Sequence, residues 1–373
     1  METKKAKVII AGDIVVSSGH KVVILDEKLE NVIREVDYSI VNFEAPVKTK
    51  YSKPIKKTGA NLHQSADIID ALKQKGFNCF SLANNHFRDF GYDGCKNTLN
   101  LLKAKCLDFM GGGINLQEAS RIMYKKLNGL CVAFINVCEQ EWSIATADRP
   151  GANPCKPLTQ FYQIKEAKKK ADFVIIIYHG GVEHYQLPSP ELKQLHRFLI
   201  DSGADAVINH HQHCFSGYEI YNGKPIFYGI GNFLFDNNSI INSPWNYGYL
   251  VELTISKFEG VSFCLHPYKQ CNGEFGVFKL KDEEDFHTRI NELNDIIAND
   301  ELLRQHYVEY VTKDRSFYTP VVIPYRSRIL KRLCRYGLLP TFMSEDQLRY
   351  VYDVVNCDSH RTRFIDFLES KFS

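Results

Sequence analysis

Seven short apolar runs, spread over the first 235 residues and separated by helix-forming segments, constrain this chain more than any other feature. They are KVIIAG (7–12), YSIVNFE (38–44), FNCFSLA (77–83), LCVAFINV (130–137), FVIIIYH (173–179), DAVINH (205–210) and PIFYGIGNFLF (225–235). A chain that alternates strand-like runs with amphipathic helices folds as a layered α/β domain, because each element has one apolar face to bury. Residues 64–75 place Ile68, Ile69 and Leu72 on one helical face, with Gly76 as the stop. Residues 91–105 place Leu99, Leu101 and Leu102 similarly, and 189–202 opens on Ser-Pro and ends before Gly203. After about residue 255 the texture changes to one more strand pair, a charged helix over 281–300, a proline-containing link (318–328) and a final helical stretch. The expected division is a domain over 1–270 and a helical C-terminal extension over 271–373.

Composition narrows the function classes. Hydrophobic residues make up 44% and charged residues 24% of 373, which excludes wholesale disorder. Lys plus Arg number 46 against 44 Asp plus Glu, so the net charge of +2 argues against a nucleic-acid coat while leaving room for local basic patches. No nucleic-acid partner is expected. The eleven cysteines are odd in number and no two are spaced Cys-x-x-Cys, so neither a disulfide framework nor a zinc ribbon is legible. Thiols inside apolar runs, such as Cys79 and Cys131, behave as small hydrophobes, and a reducing, cytoplasmic location is the expectation. The basic N-terminus leads into an apolar run broken by Asp13, which reads as a first strand rather than a leader. No run approaches the roughly 18 apolar residues of a membrane span.

The polar residues of interest close the apolar runs, where α/β folds build their sites. Asp13 closes the first, Glu44 the second, Asn84-Asn85-His86 the third, His179 the fifth and His210-His211-Gln212-His213 the sixth. Any one of these is an ordinary turn or surface residue. Two carboxylates, an amide and several imidazoles converging on one sheet rim form an oxygen- and nitrogen-rich set suited to hard or borderline divalent ions. His211 and His213, read as alternate residues of a strand, would share a face.

The motifs GD (12–13), NFEAP (42–46), SLANNHFRDFGYDG (81–94), GGGINLQEA (111–119), HGGVEH (179–184), GADAVINHHQH (203–213) and IFYGIGNFLFD (226–236) resemble the CapA family of capsule and poly-γ-glutamate biosynthesis proteins. That family is a branch of the calcineurin-like metallophosphoesterase superfamily, and the resemblance covers about residues 6–255. It implies a four-layer αββα sandwich with a metal site at its rim. By the same resemblance Asp13 holds one metal, Glu44 bridges two, Asn85, His179 and His211 hold the second, and His213 returns to the first. His86, oriented by Asp89, is the implied acid or transition-state donor, and Asn84, Glu183 and Asn232 are candidate substrate contacts. One or two divalent ions, Mn, Zn, Fe or Mg, are the implied cofactors. The implied function is a metal-dependent phosphoesterase-like hydrolase or transferase in bacterial capsule, exopolysaccharide or poly-γ-glutamate biosynthesis. Its partners would be an anionic or phosphate-bearing polymer precursor and membrane-associated synthesis machinery. The alternative is a non-catalytic accessory or binding subunit of a polymer synthase that uses the same fold.

The sequence departs from the family pattern at named places. Ile14 and Val15 follow Asp13 where many metallophosphoesterases have Asp-x-His, so one imidazole is missing and a single-metal site is an option. Asn209 precedes His210 where glycine is usual, and His210 should point opposite to His211 as a structural residue. There is no G-x-S-x-G elbow and no G-x-x-x-x-G-K-[ST] loop, and GGG (111–113) reads as a tight turn rather than a phosphate cradle. Near the C-terminus, Arg326, Arg328, Lys331, Arg332 and Arg335 interleave with Ile329, Leu330, Leu333, Tyr336, Leu338 and Leu339. Such a basic amphipathic stretch either packs its apolar stripe on protein or lies on an anionic membrane at the cell periphery.

Overall fold

The first apolar run extends into the strand Lys5–Val15, most of whose residues are buried. It is the spine of a nine-stranded sheet in the order Ile24–Leu25, Gly276–Lys279, Gly260–Gln270, Tyr247–Ser256, Lys5–Val15, Tyr38–Phe43, Cys79–Ser81 and Asp108–Met110, with Asn232–Phe235 also pairing with the spine. These relations come from a computed structural model that describes residues 4–17, 23–57, 59–236, 243–271, 275–313, 327–339, 344–356 and 364. A second, six-stranded sheet has the order Tyr218–Tyr221, Lys224–Phe227, Ala206–His210, Phe173–His179, Leu130–Cys138 and Met123–Leu127.

The two sheets face each other. Tyr38 of the first packs on Phe134 of the second at 5.7 Å between ring centroids, and Phe227 meets Phe263 at 5.0 Å. On its other face the first sheet buries Ile9, Ala11, Val41, Phe43 and Phe80 against Leu29, Ile68, Leu72, Leu99 and Leu102 of the helices Glu27–Glu35, Asp67–Gln74 and Gly91–Ala104. Helices Pro157–Lys168 and Pro190–Asp201 contact the second sheet, completing the αββα layering that the family resemblance implies. The local signals hold in detail. Ser189 caps the helix by accepting from Leu192 N at 3.1 Å, and Gly76 and Gly203 take the left-handed conformation (φ +100° and +120°) that stops the helices before them.

The run 225–235 does not form one strand. It splits into Lys224–Phe227 in the second sheet and Asn232–Phe235 in the first, so the chain crosses between sheets at Tyr228-Gly229-Ile230-Gly231. Gly231 sits at φ +79°, and its carbonyl oxygen lies where a Cβ on Gly12 would fall, at 1.9 Å. The two backbones meet because neither residue has a side chain, and the meeting places Asp13 beside Asn232 in register. Gly12→Ala is therefore expected to lower stability by about 1–3 kcal/mol or prevent folding outright, read as a shifted urea midpoint. An unchanged midpoint would contradict this packing.

The first compact unit runs over Met1–Arg304, past the expected boundary at 270, because Gly276–Lys279 pairs with Gly260–Gln270 and helix Glu284–Ala298 buries Phe286, Ile290, Leu293 and Ile297. The second unit, Gln305–Ser373, contains helices Arg328–Arg335 and Glu345–Asn356. Within it Cys334 is buried while Ile329 and Leu338 are exposed. Arg326 and most of the 318–328 link lie outside the described residues. Among the described residues no helix is long and apolar enough to cross a membrane, and the described cysteines are all free thiols.

Candidate metal centre

Each strand that ends at the rim delivers a polar side chain there. Asp13 follows a register shift in Lys5–Val15, Glu44 comes one residue after Tyr38–Phe43, and His179 is the last residue of Phe173–His179. Glu44, His179 and His211 each offer a ligand atom within 4.8 Å of the others, and so do Asp13, Glu44 and His213. The two triads share Glu44, whose Oε1 lies 3.7 Å from His179 Nε2 and 3.6 Å from His213 Nε2. Asn85 Oδ1 is 3.1 Å from His179 Nε2, which brings the amide to the same triad. All six residues expected as ligands are thus gathered at one place.

Glu44 is the point of greatest electrostatic tension. It is fully buried and neither carboxylate oxygen has a hydrogen-bond donor. Burial, then the neighbouring charge of Asp13, push its carboxyl well above the usual carboxylate range. Burial also drives His179 well below the ordinary imidazole value, helped by the other histidines, and takes His213 down to about 3. Neutral imidazoles around an orphaned buried carboxylate are what a divalent cation requires, and the donors are all oxygen or nitrogen, so these residues fit such an ion.

His211 and His213 reach the site by a different route from the one their spacing suggests. The strand Ala206–His210 ends before them, and both adopt left-handed backbone, at φ +88° and +55°. Non-glycine residues in that region are strained, and here the strain aims two imidazoles inward. Their far nitrogens are held. His213 Nδ1 lies 2.9 Å from Asn232 Oδ1, leaving Nε2 toward Glu44, and His211 Nε2 lies 3.2 Å from Glu139 Oε1, leaving Nδ1 toward His179. A carboxylate or amide on the outer nitrogen fixes the tautomer of a ligating histidine. Burial lowers the His211 pKa, but the hydrogen bond and charge of Glu139 outweigh it and raise it to about 9. His210, as expected, points the other way: it lies between the sheets with Nε2 3.1 Å from the Ala11 carbonyl.

His86 and Asp89 form a hydrogen-bonded pair, Nδ1 to Oδ2 at 2.6 Å. Asp89 Oδ1 is also 2.5 Å from Lys57 Nζ, on a lysine side chain that is only 3% exposed. Of the candidate substrate contacts, Glu183 stands exposed at the rim, within ligand reach of His211 and His213. Asn84 and Asn232 are buried rather than exposed at the rim. Asn84 is buried, donating to Phe43 O at 3.0 Å and accepting from His86 N at 3.2 Å. Asn232 is fully buried, holds His213 and donates to the His213 and Trp245 carbonyls. Both amides are engaged within the protein, so they shape the site from behind. Gly111 takes a left-handed turn conformation (φ +77°), whereas Gly112–Gly113 forms a short strand that pairs antiparallel with Gly151–Ala152.

Four contributors were not singled out in the sequence. Glu139 directly follows Leu130–Cys138 and obeys the same strand-end rule. Glu141 stands beside it, near His211. Asn42, two residues before Glu44 and so on the same face, donates to Asp13 Oδ1 at 2.7 Å and lies 3.2 Å from His179 Nδ1. Lys57 comes from a loop, and no spacing announces it.

The two-sheet sandwich thus gathers carboxylate, amide and imidazole side chains on one rim, as a candidate metal centre. Residues 7–237 match the family described as "Bacterial capsule synthesis protein PGA_cap", and the chain belongs to that family. It is 34% identical over 250 residues to the capsule biosynthesis protein CapA of Bacillus anthracis, an alignment covering 63% of this chain and 61% of the relative. It is 37% identical over 214 residues to the PGA biosynthesis protein CapA of Bacillus subtilis, covering 56% of each. A probable polyglutamine synthesis accessory protein of Mycobacterium tuberculosis is 31% identical over 189 residues, covering 47% of this chain and 49% of the relative. The chain thus spans about half to three fifths of the length of these curated relatives.

Proposed function

We propose that Glu44 is the shared ligand for one or two divalent ions (Mn, Zn, Fe or Mg), which Asp13 and His213 would hold on one side and Asn85, His179 and His211 on the other. On this reading the protein is a phosphoester hydrolase or transferase acting on an anionic precursor in capsule or poly-γ-glutamate biosynthesis. The observation that carries the reading is Glu44, a fully buried carboxylate with no hydrogen-bond donor, common to two ligand triads. Divalent ions held by these residues would supply Lewis acidity toward a phosphoryl oxygen and a lowered pKa for bound water. The chain's own residues do the rest. Asn232 and Glu139 hold His213 and His211 in one tautomer. With its Nδ1 on Asp89, His86 presents Nε2 as the atom that exchanges a proton with the leaving group. Peripheral contact with membrane-bound synthesis machinery is supported by the basic helix Arg328–Arg335, where Ile329 is exposed.

Hydrolysis of a chromogenic phosphodiester and phosphomonoester with added Mn tests the activity. Metal-dependent turnover is the expected result. A protein that binds Mn tightly and turns over neither ester is instead the accessory subunit, a reading favoured by the absence of an imidazole two residues after Asp13.

Metal binding should also depend on pH with a definite sign. Glu44, raised by burial and Asp13, and His211, raised to about 9 through Glu139, must both release protons before they ligate. In the metal-free protein the raised groups stabilise the fold at low pH, and that contribution fades as pH climbs. Metal affinity therefore rises with pH, by about tenfold per unit for each proton released. Added Mn is expected to raise Tm more at pH 7.5 than at pH 6.0, and an equal or smaller rise at pH 7.5 would contradict it.

A further inference from the structure

The segment that follows Glu44 is one of the two most basic on the chain. Residues 48–57 read KTKYSKPIKK, with five lysines and no acid. It begins four residues after Glu44 and ends at Lys57, whose Nζ sits on Asp89 beside His86, so both ends are tied to the metal rim. Its course is fixed. Thr49 and Ser52 close a turn through Thr49 N to Ser52 Oγ at 3.0 Å, and Ile55 N donates to Asp89 O at 2.9 Å. Lys48, Lys50, Lys53 and Lys56 are exposed, and Lys96 is exposed on the adjacent helix Gly91–Ala104. Among the described residues none of these five forms an ion pair with an acid. Three of them rest over rings instead: Lys48 over Phe90, Lys50 over Tyr51 and Lys96 over Tyr92, at 5.3, 4.9 and 5.3 Å.

The turn and the helix enclose a groove of about 490 Å³, lined by Lys50, Tyr51, Asp93, Lys96, Asn97 and Asn100. One acid stands in it against two lysines, with three more lysines flanking. Unpaired surface charge of one sign raises the local concentration of a polyvalent partner of the other sign. Lysine supplies this as a mobile point charge without the planar fork of arginine, and the segment contains no arginine. Such a surface, with its positive charges spaced along a turn and a helix, suits a flexible chain that carries single carboxylates at intervals. Exposed Tyr51 and Tyr92 offer flat faces for the amide backbone between charges.

We propose that residues 48–57 and the groove against helix Gly91–Ala104 form a docking track for a polycarboxylate chain, which holds the polymer beside the metal rim. The proposal rests on the reading that the protein handles an anionic polymer. The test measures binding of fluorescein-labelled polyglutamate to the full chain by anisotropy, over a range of salt. Replacing Lys50, Lys53, Lys56 and Lys96 by Gln is expected to weaken binding at least about tenfold and to flatten its salt dependence. A control of equal charge, Lys28→Gln, Lys126→Gln, Lys165→Gln and Lys281→Gln, is expected to stay within about twofold of the unmodified protein. Unlabelled polyglutamate should displace the probe better than polyphosphate of equal charge. Three results would overturn the track: no binding by the unmodified protein, equal weakening in both variants, or stronger displacement by polyphosphate. Metal content measured on the same protein keeps the two ideas apart. A metal-free protein that binds polymer contradicts the metal reading alone, and a metal-loaded protein that ignores polymer contradicts the track alone.

Discussion

Glu44→Gln is expected to lower affinity for Mn or Zn by about 10²-fold or more, while leaving the metal-free protein as stable as before or more so. The two halves of this expectation come from one fact. Glu44 is buried with no donor for either oxygen and stands beside Asp13, so without a cation its charge opposes folding. A neutral amide of the same shape removes that opposition and also removes the anion that holds the metal. His210→Gln makes the informative contrast. His210 lies between the sheets, near the Ala11 and Tyr178 carbonyls, so its replacement should reduce stability more than metal affinity. Calorimetric titration and thermal melts of both variants separate the outcomes. If Glu44→Gln destabilised the fold and bound metal normally, the carboxylate would be structural.

His86→Ala is expected to reduce metal-dependent ester turnover by about 10²–10⁴-fold with metal content unchanged. His86 stands next to Asn85 in the chain but belongs to none of the ligand groups among the described residues, and with its Nδ1 on Asp89 its proposed role is to move a proton rather than to ligate. Asn85→Ala should do the reverse, lowering metal content and turnover together, because its amide oxygen lies against His179. Full turnover in His86→Ala alongside loss in Asn85→Ala would end the proton-donor role. Lys57→Gln adds a finer measurement. It takes a buried cation from Asp89 and should shift the pH profile of turnover without emptying the site.

The strand-end rule makes much of this site legible in the sequence alone. Asp13, Glu44, Asn85 and His179 are brought to one rim because parallel strands deliver their C-terminal ends to the same edge. What period-2 reasoning missed has a backbone cause. His211 and His213 converge through left-handed loop residues rather than by strand alternation, and only the fold around them holds such a conformation. The run 225–235 read as one strand because its apolar texture is continuous, yet Gly229 and Gly231 let it leave one sheet for the other. Asn84 and Asn232 read as substrate contacts because they are polar residues in the motifs that carry the family resemblance, and burial engages them as hydrogen-bond anchors within the protein. Lys57 was beyond reach. A lysine that crosses from a loop to a buried aspartate follows from tertiary closure and not from any local pattern.

The most direct measurement is anomalous diffraction from crystals of the full chain grown or soaked with Mn. The account predicts one or two strong anomalous peaks within bonding reach of Glu44, each also touching imidazole nitrogens of His179 and His211 or of His213. Peaks only at exposed carboxylates elsewhere, with Glu44 left without a cation at saturating Mn, would contradict it.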